Sequence, residues 1–181
     1  GGVHIVGMYT SSFGMINLVH IGASFKDVTM SHCYNISGDY SGTIAGRLHN
    51  PDGDTGTPGT VTFDKIALYN NYQENTGNNG YARTGVLFGA STGATCVEWS
   101  NLLVYDNIAK GRKSSSDKTM MDCALVGSYT TGWSGQNNDP KINNGDYSNS
   151  IILGCYPYPI ETVANHGTRK EYWKGNVYTD A

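Results

Sequence analysis

Charge is what this sequence has least of. Asp, Glu, Lys and Arg make up 15% of its 181 residues, the net charge is −3 and the isoelectric point is about 5.9. A nucleic-acid partner needs a basic face, and the one basic cluster, Lys110-Gly111-Arg112-Lys113, reads as a solvated loop. No apolar run approaches the ~20 residues that span a bilayer, so membrane insertion is not expected. No signal peptide is seen; the chain opens on Gly1-Gly2 and runs at once into Val3-His4-Ile5-Val6, as a segment of a larger protein would. The four cysteines, Cys33, Cys96, Cys123 and Cys155, include no C-x-x-C pair. That leaves a tetrahedral zinc site or a thioredoxin-like motif without support. The five histidines (His4, His20, His32, His49, His166) form neither H-x-x-x-H nor H-E-x-x-H. G-x-S-x-G, P-loop and dinucleotide fingerprints are also missing.

What the chain has instead is glycine and tyrosine. Its 24 Gly make it turn-rich, and its 13 Tyr supply burial that a disordered chain lacks. Low charge, small polar residues and Tyr together predict an all-β extracellular domain.

One stretch recurs four times without gaps: Ala23–Cys33 (ASFKDVTMSHC), Val61–Asn71 (VTFDKIALYNN), Val97–Asn107 (VEWSNLLVYDN) and Gly145–Cys155 (GDYSNSIILGC). One column is aromatic, with Phe25, Phe63, Trp99 and Tyr147, and the last column reads Cys33, Asn71, Asn107, Cys155. Within VTFDKIALYNN the apolar residues alternate at Val61 and Phe63, then again at Ile66 and Leu68. The period of two predicts a strand, and the slip between the pairs predicts a bend or bulge.

A second element is a short apolar run ending in Gly: Val3–Gly7, Thr43–Gly46, Gly85–Gly89 and Ala124–Gly127. Its glycines are 39, 43 and 38 residues apart, and the aromatic residues 38, 36 and 48 apart. A period of about 40 belongs to solenoids, propellers and arrays. The boundaries fall near 1–38, 39–80, 81–119 and 120–158, with 159–181 as a C-terminal cap over the open end. Turn-rich stretches separate the strands, and only Ala109–Met121 offers room for a helical turn.

FDKIALYNN and WSNLLVYDN also fit the leucine-rich-repeat template L-x-x-L-x-L-x-x-N/C, but the period is too long and no return helix is visible. The expected fold is therefore an all-β parallel β-solenoid or β-helix of about four repeats. Buried Asn at the bend would bond backbone groups of the coils above and below. Cys33 and Cys155, in that same column at opposite ends of the array, read as small buried residues ahead of disulfide partners.

Ser24–Leu48 (SFKDVTMSHCYNISGDYSGTIAGRL) resembles the GLUG-type repeats of bacterial surface proteins, with weaker echoes in Val86–Asn107 and Cys123–Gly127. Long Asn/Asp-rich insertions set this chain apart from that pattern. The resemblance implies an extracellular β-solenoid with an adhesive or architectural role, and carries over no catalytic residue.

Candidate chemistry lies in the loops. Asp52 and Asp54, in NPDGDTG, place oxygens around a Gly turn in a way that can hold Ca²⁺, although no Glu closes an EF-hand pattern. Asn137-Asn138-Asp139 with Asp146 is a weaker second place for the ion. Tyr129 and Trp133 stand among Gly, Ser, Thr and Asn, where an aromatic ring can stack on a sugar or fold back as a lid. Asn35-Ile36-Ser37 is a formal glycosylation sequon. For a polysaccharide-degrading β-helix or tailspike-like fragment, carboxylates or an acid and a base should face one another on neighbouring coils. Asp27 and Asp64 are offset by one column, as are Lys26 and Lys65. The expectation is a non-catalytic surface module without an obligatory cofactor. It would contact glycan or protein through its loops and self-associate through an uncapped N-terminal end.

Overall fold

The computed structural model describes residues 2–11, 13–38, 40–53, 57, 59–76, 84–92, 95–112, 120–121, 125–130, 149–155 and 177–178. Every regular element among them is a strand. In chain order these are β1 (Val3–Val6), β2 (Tyr9–Thr10), β3 (Ile16–His20), β4 (Ser24–Ser31), β5 (Tyr34–Ser37), β6 (Ala45–His49), β7 (Gly59–Tyr69) and β8 (Tyr72–Asn75). They continue with β9 (Phe88–Thr92), β10 (Thr95–Tyr105), β11 (Ile108–Arg112), β12 (Met120–Met121), β13 (Val126–Thr130), β14 (Ser150–Ile152) and β15 (Val177–Tyr178).

The strands sort into three sheets, ordered β1-β4-β7-β10-β14-β15, β12-β11-β8-β5-β2 and β13-β9-β6-β3. The chain visits the first, second and third sheet, then returns to the first beside the strand it left. Neighbouring strands are parallel throughout except for the antiparallel pair β11–β12. Parallel neighbours need a crossover, and from β1 to β14 the strands of the other two sheets provide it, with no helix among the described residues. Ala109–Met121, where a helical turn had room, contributes β11 and β12 instead; residues 113–119 lie outside the described set.

The gapless alignment of the aromatic stretches coincides with the strand register. Phe25 and Trp99 both pair with Phe63, Val28 and Leu102 with Ile66, and Met30 and Val104 with Leu68. Ile152 then pairs with Val104. Tyr147 lies outside the described residues. The slip in the alternation has a backbone cause: Asp27 (φ 56°), Lys65 (54°), Asn101 (55°) and Asn149 (58°) share one column and all adopt the left-handed conformation. One such residue turns the strand so that alternation resumes toward the same interior. Asn and Asp tolerate that region through local hydrogen bonding. A second left-handed column, Gly7, His32, Asn70, Asp106 and Gly154, makes the corner between the first and second sheets.

Inside, Phe25 and Phe63 stack with centroids 5.1 Å apart, and Phe88 of β9 lies 6.1 Å from Phe63 and 6.3 Å from Trp99. Phe63, Phe88 and Trp99 are fully or nearly fully buried. Truncating a ring such as Phe63 to Ala costs about 3–5 kcal/mol.

The corner column that follows holds the buried amides. The Asn71 carbonyl oxygen accepts from Cys33 N–H at 3.0 Å, while its Nδ2 donates to Met30 O at 3.0 Å and to Asn107 Oδ1 at 3.0 Å. Asn107 repeats the pattern one pass later: its Oδ1 accepts from Asn71 N–H at 3.1 Å, and its Nδ2 donates to Leu68 O at 2.8 Å. Asparagine at a buried bend thus links consecutive passes, as expected. Cys33 is a buried thiol in the same column whose Sγ donates to Ser31 O at 3.4 Å. Burial raises its pKa above the ordinary thiol value. Cys155 is likewise a buried thiol.

Two expectations are corrected. Val3–Gly7 does not belong with the Gly-terminated runs: Val3 pairs with Val28 and Ile5 with Met30, so β1 continues the aromatic-strand sheet. The counterpart of Gly46 there is Asn17, because Ile16 pairs with Ala45 and Leu18 with Arg47. Gly46 itself is needed because Phe13 packs on its α-carbon, where a Cβ would collide with the Phe13 side chain. The second correction is the sheet β12-β11-β8-β5-β2, a third strand position in each pass that apolar alternation does not show.

Candidate functional site

The outer face of the first sheet carries the polar chemistry. The left-handed column brings Asp27 beside Lys65 (Oδ1–Nζ 3.9 Å), and the column before it brings Lys26 beside Asp64 (3.7 Å). The one-column offset between Asp27 and Asp64 therefore creates two reciprocal ion pairs on neighbouring strands. Asp64 also accepts from Asn101 Nδ2 at 2.7 Å and from the Ser100 hydroxyl at 2.9 Å. Those two bonds, with a smaller contribution from Lys26, hold its carboxyl below the ordinary value. Hydrogen bonds to the charged form are the usual cause of such a shift. A shallow cleft of about 390 Å³ adjoins this belt, lined by Gly2, His4, Asp27, Thr29 and Lys65. It brings one carboxylate, one amine and one imidazole together, and its acid is already paired with its amine.

Two aromatic rows flank the corner. Tyr9, Tyr34 and Tyr72 are in register on β2, β5 and β8. Their rings stack at 5.6 and 4.7 Å, and the Lys110 ammonium lies 5.2 Å from the Tyr72 centroid. Tyr9 is 70% exposed and Tyr34 37%. The Tyr72 hydroxyl donates to the Glu74 carboxylate, which with burial pushes its pKa up to about 12. On the other side of the corner Tyr69 and Tyr105 stack at 5.1 Å, with His32 edge-on to Tyr69 at 6.3 Å. Stacking consumes ring faces within each row, so the rows offer ring edges and hydroxyls outward. Tyr34, Tyr69, Tyr72 and Tyr105 sit at fixed positions relative to the recurring stretch, whereas Tyr9 precedes its first copy, and the stacking depends on a strand pairing that the sequence does not display.

The loop residues fare unevenly. Asp52 is exposed in a turn closed by Asn50, whose Oδ1 accepts from Asp52 N–H at 3.0 Å and whose Nδ2 donates to Thr57 O at 2.8 Å. An amide thus supplies the cross-loop bonds a cation would otherwise provide. Asp54 lies outside the described residues, as do Asn137, Asn138, Asp139 and Asp146. Among the described residues no three His, Cys, Asp or Glu side chains gather around a metal position. Tyr129 belongs to β13, its backbone paired with Ser91; Trp133 lies outside the described residues. His32 is exposed, as its column predicts. Asn35 of the sequon is fully buried, and its Nδ2 donates to Ser41 Oγ at 3.0 Å, so a glycan there is incompatible with this fold.

Compared with known proteins, the chain matches no protein-family model, no curated protein and no solved structure.

Proposed function

We propose that the chain is a parallel β-solenoid, each pass through the three sheets forming one coil, of the kind seen in GLUG-type surface repeats. Four such coils precede a C-terminal cap; their starts in the first sheet are 25, 38, 36 and 48 residues apart, from the pairs Val3–Val28, Val28–Ile66, Ile66–Leu102 and Leu103–Ile151. In this reading it is a non-catalytic, adhesin-like module at the cell surface or outside the cell, displaying side chains for contact with glycan or protein. The observation that carries the reading is the pair of outward tyrosine rows flanking one corner. Amphipathic aromatic edges with hydroxyls are suited to a wet, specific contact. The acids on the neighbouring face support it too, since Asp27 and Asp64 already hold ion pairs. Self-association would use β1, β2 and β3, each outermost in its sheet, where strand backbone can pair with another chain. No cofactor is part of this reading; calcium at Asp52 and Asp54 would act as a loop staple.

A second reading, a polysaccharide-degrading β-helix, is favoured by one observation: the cleft that holds His4, Asp27 and Lys65. A glycan array read beside a reducing-sugar release assay separates the two. The module reading expects retention without release, weakened at least tenfold by the double change Tyr9→Ala, Tyr34→Ala. Release of sugar that Asp27→Asn abolishes would replace it with the enzyme. Retention indifferent to Tyr9 and Tyr34 would move the contact to Tyr129 and Trp133.

A further inference from the structure

The interior between the second and third sheets is polar, and its hydrogen bonds do not close. Asn35 of β5 and Gln73 of β8 are in register, one pass apart, and both are fully buried. Across the interior Ser41 pairs with Thr84 in a parallel bridge, again one pass apart. Equivalent partners are therefore Asn35 with Ser41 and Gln73 with Thr84. The first pair closes directly, Asn35 Nδ2 to Ser41 Oγ at 3.0 Å. In the second, the longer Gln73 reaches back one pass instead and donates to Thr43 Oγ1 at 2.9 Å. Three oxygens are left without a partner among the described residues: Asn35 Oδ1, Gln73 Oε1 and Thr84 Oγ1. Thr84 is only 3% exposed.

Their chemistry specifies what they take. Two are amide carbonyl oxygens, which only accept, and the third is a hydroxyl that can donate or accept. The ligand must therefore donate at least two hydrogen bonds and be small enough to reach oxygens that are fully buried. A metal or ammonium cation could meet two carbonyls, but Asn35, Gln73, Ser41, Thr43 and Thr84 are all neutral. A buried charge without a counter-charge is strongly disfavoured. A neutral molecule with two donors and two acceptors is water, and buried water making two to four bonds to otherwise unpaired groups is a regular structural component. We infer that Gln73, Thr84 and Asn35 form an internal hydration site in which ordered water takes the place of the direct Gln73–Thr84 bond.

The sign of one isosteric substitution tests this. Thr84→Val keeps the shape and removes the hydroxyl. If water bridges Thr84 to Gln73, the change strands that water and lowers the melting temperature by about 2–4 °C. If the site is dry, the hydroxyl is an unpaid desolvation and Thr84→Val raises the melting temperature. Because a surface or folding effect could mimic the fall, the unaltered chain supplies the second arm. Water-to-protein nuclear Overhauser transfer should show a long-lived water at the Gln73 and Asn35 side-chain amides. Its absence, or a rise in melting temperature for Thr84→Val, overturns the inference.

Discussion

Two columns of buried amides run through this molecule, and they behave differently. At the corner between the first and second sheets, Asn71 and Asn107 bond to backbone on the neighbouring pass and to each other. Between the second and third sheets, Asn35 and Gln73 each bond to one hydroxyl and retain a carbonyl oxygen with no partner among the described residues. The difference lies in what surrounds them. The corner residues Asn70 and Asp106 are left-handed, and in both cases the following Asn meets a backbone N–H and a C=O of the adjacent pass. The other column faces side chains of unequal reach, so a longer Gln cannot reproduce the bond made by Asn. An amide is a clamp between passes where backbone repeats, and a hydration point where only side chains do.

The contrast predicts unequal costs. Asn71→Ala strips the Cys33 N–H and Met30 carbonyl of their partners and leaves both buried, so it should destabilise by about 2–4 kcal/mol in urea unfolding. A cost under about 1 kcal/mol would mean the clamp contributes little.

A smaller effect comes from the solvent side of the same sheet. Folding lowers the Asp64 pKa from its ordinary 3.8. The native state therefore holds its proton less tightly than the unfolded chain. The stability this contributes is fully present above about pH 4 and is lost as pH falls through the folded value. Asp64→Asn should lower stability modestly in the neutral region and flatten the acid limb, so that the two stability curves converge as pH falls below 4. An unchanged acid limb would show that Asn101 and Ser100 do not favour the carboxylate.

The smallest effect is chemical. Cys33 occupies the clamp column with a raised pKa, whereas Cys96 is partly exposed. At pH 8 a thiol reagent should modify Cys96 first and reach Cys33 only at the rate of unfolding. Equal rates would show that the corner opens locally.

These two columns also mark how far the sequence can be read. Asn71 and Asn107 were visible as a column because they follow an alternating apolar strand at fixed spacing, and the slip announced a bend or bulge whose cause, the left-handed Lys65, only the backbone shows. Asn35 and Gln73 were not visible, because β5 and β8 turn Asn35, Ser37, Gln73 and Asn75 inward and so lack the alternation that marks a strand. Val3–Gly7 misled for a related reason: it supplies only the second half of the aromatic-strand pattern, and its Gly7 happens to lie 39 residues before Gly46. The tyrosine rows needed the register of those unseen strands before their residues could be placed side by side. The two ion pairs could be counted from the columns of Asp27, Asp64, Lys26 and Lys65, but only the pairing of β4 with β7 turned an apparent mismatch between the acids into contacts.

A double-mutant cycle on Asn71 and Asn107 tests most directly whether corner amides lock one pass to the next. The two side chains are hydrogen-bonded at 3.0 Å and share the Asn107 carbonyl with the Asn71 backbone. Measured by urea unfolding of the two single Ala variants and the double, their coupling should fall within about 0.5–3 kcal/mol. Additive losses, with coupling indistinguishable from zero, would contradict the clamp and leave the passes held together by strand pairing and apolar packing alone.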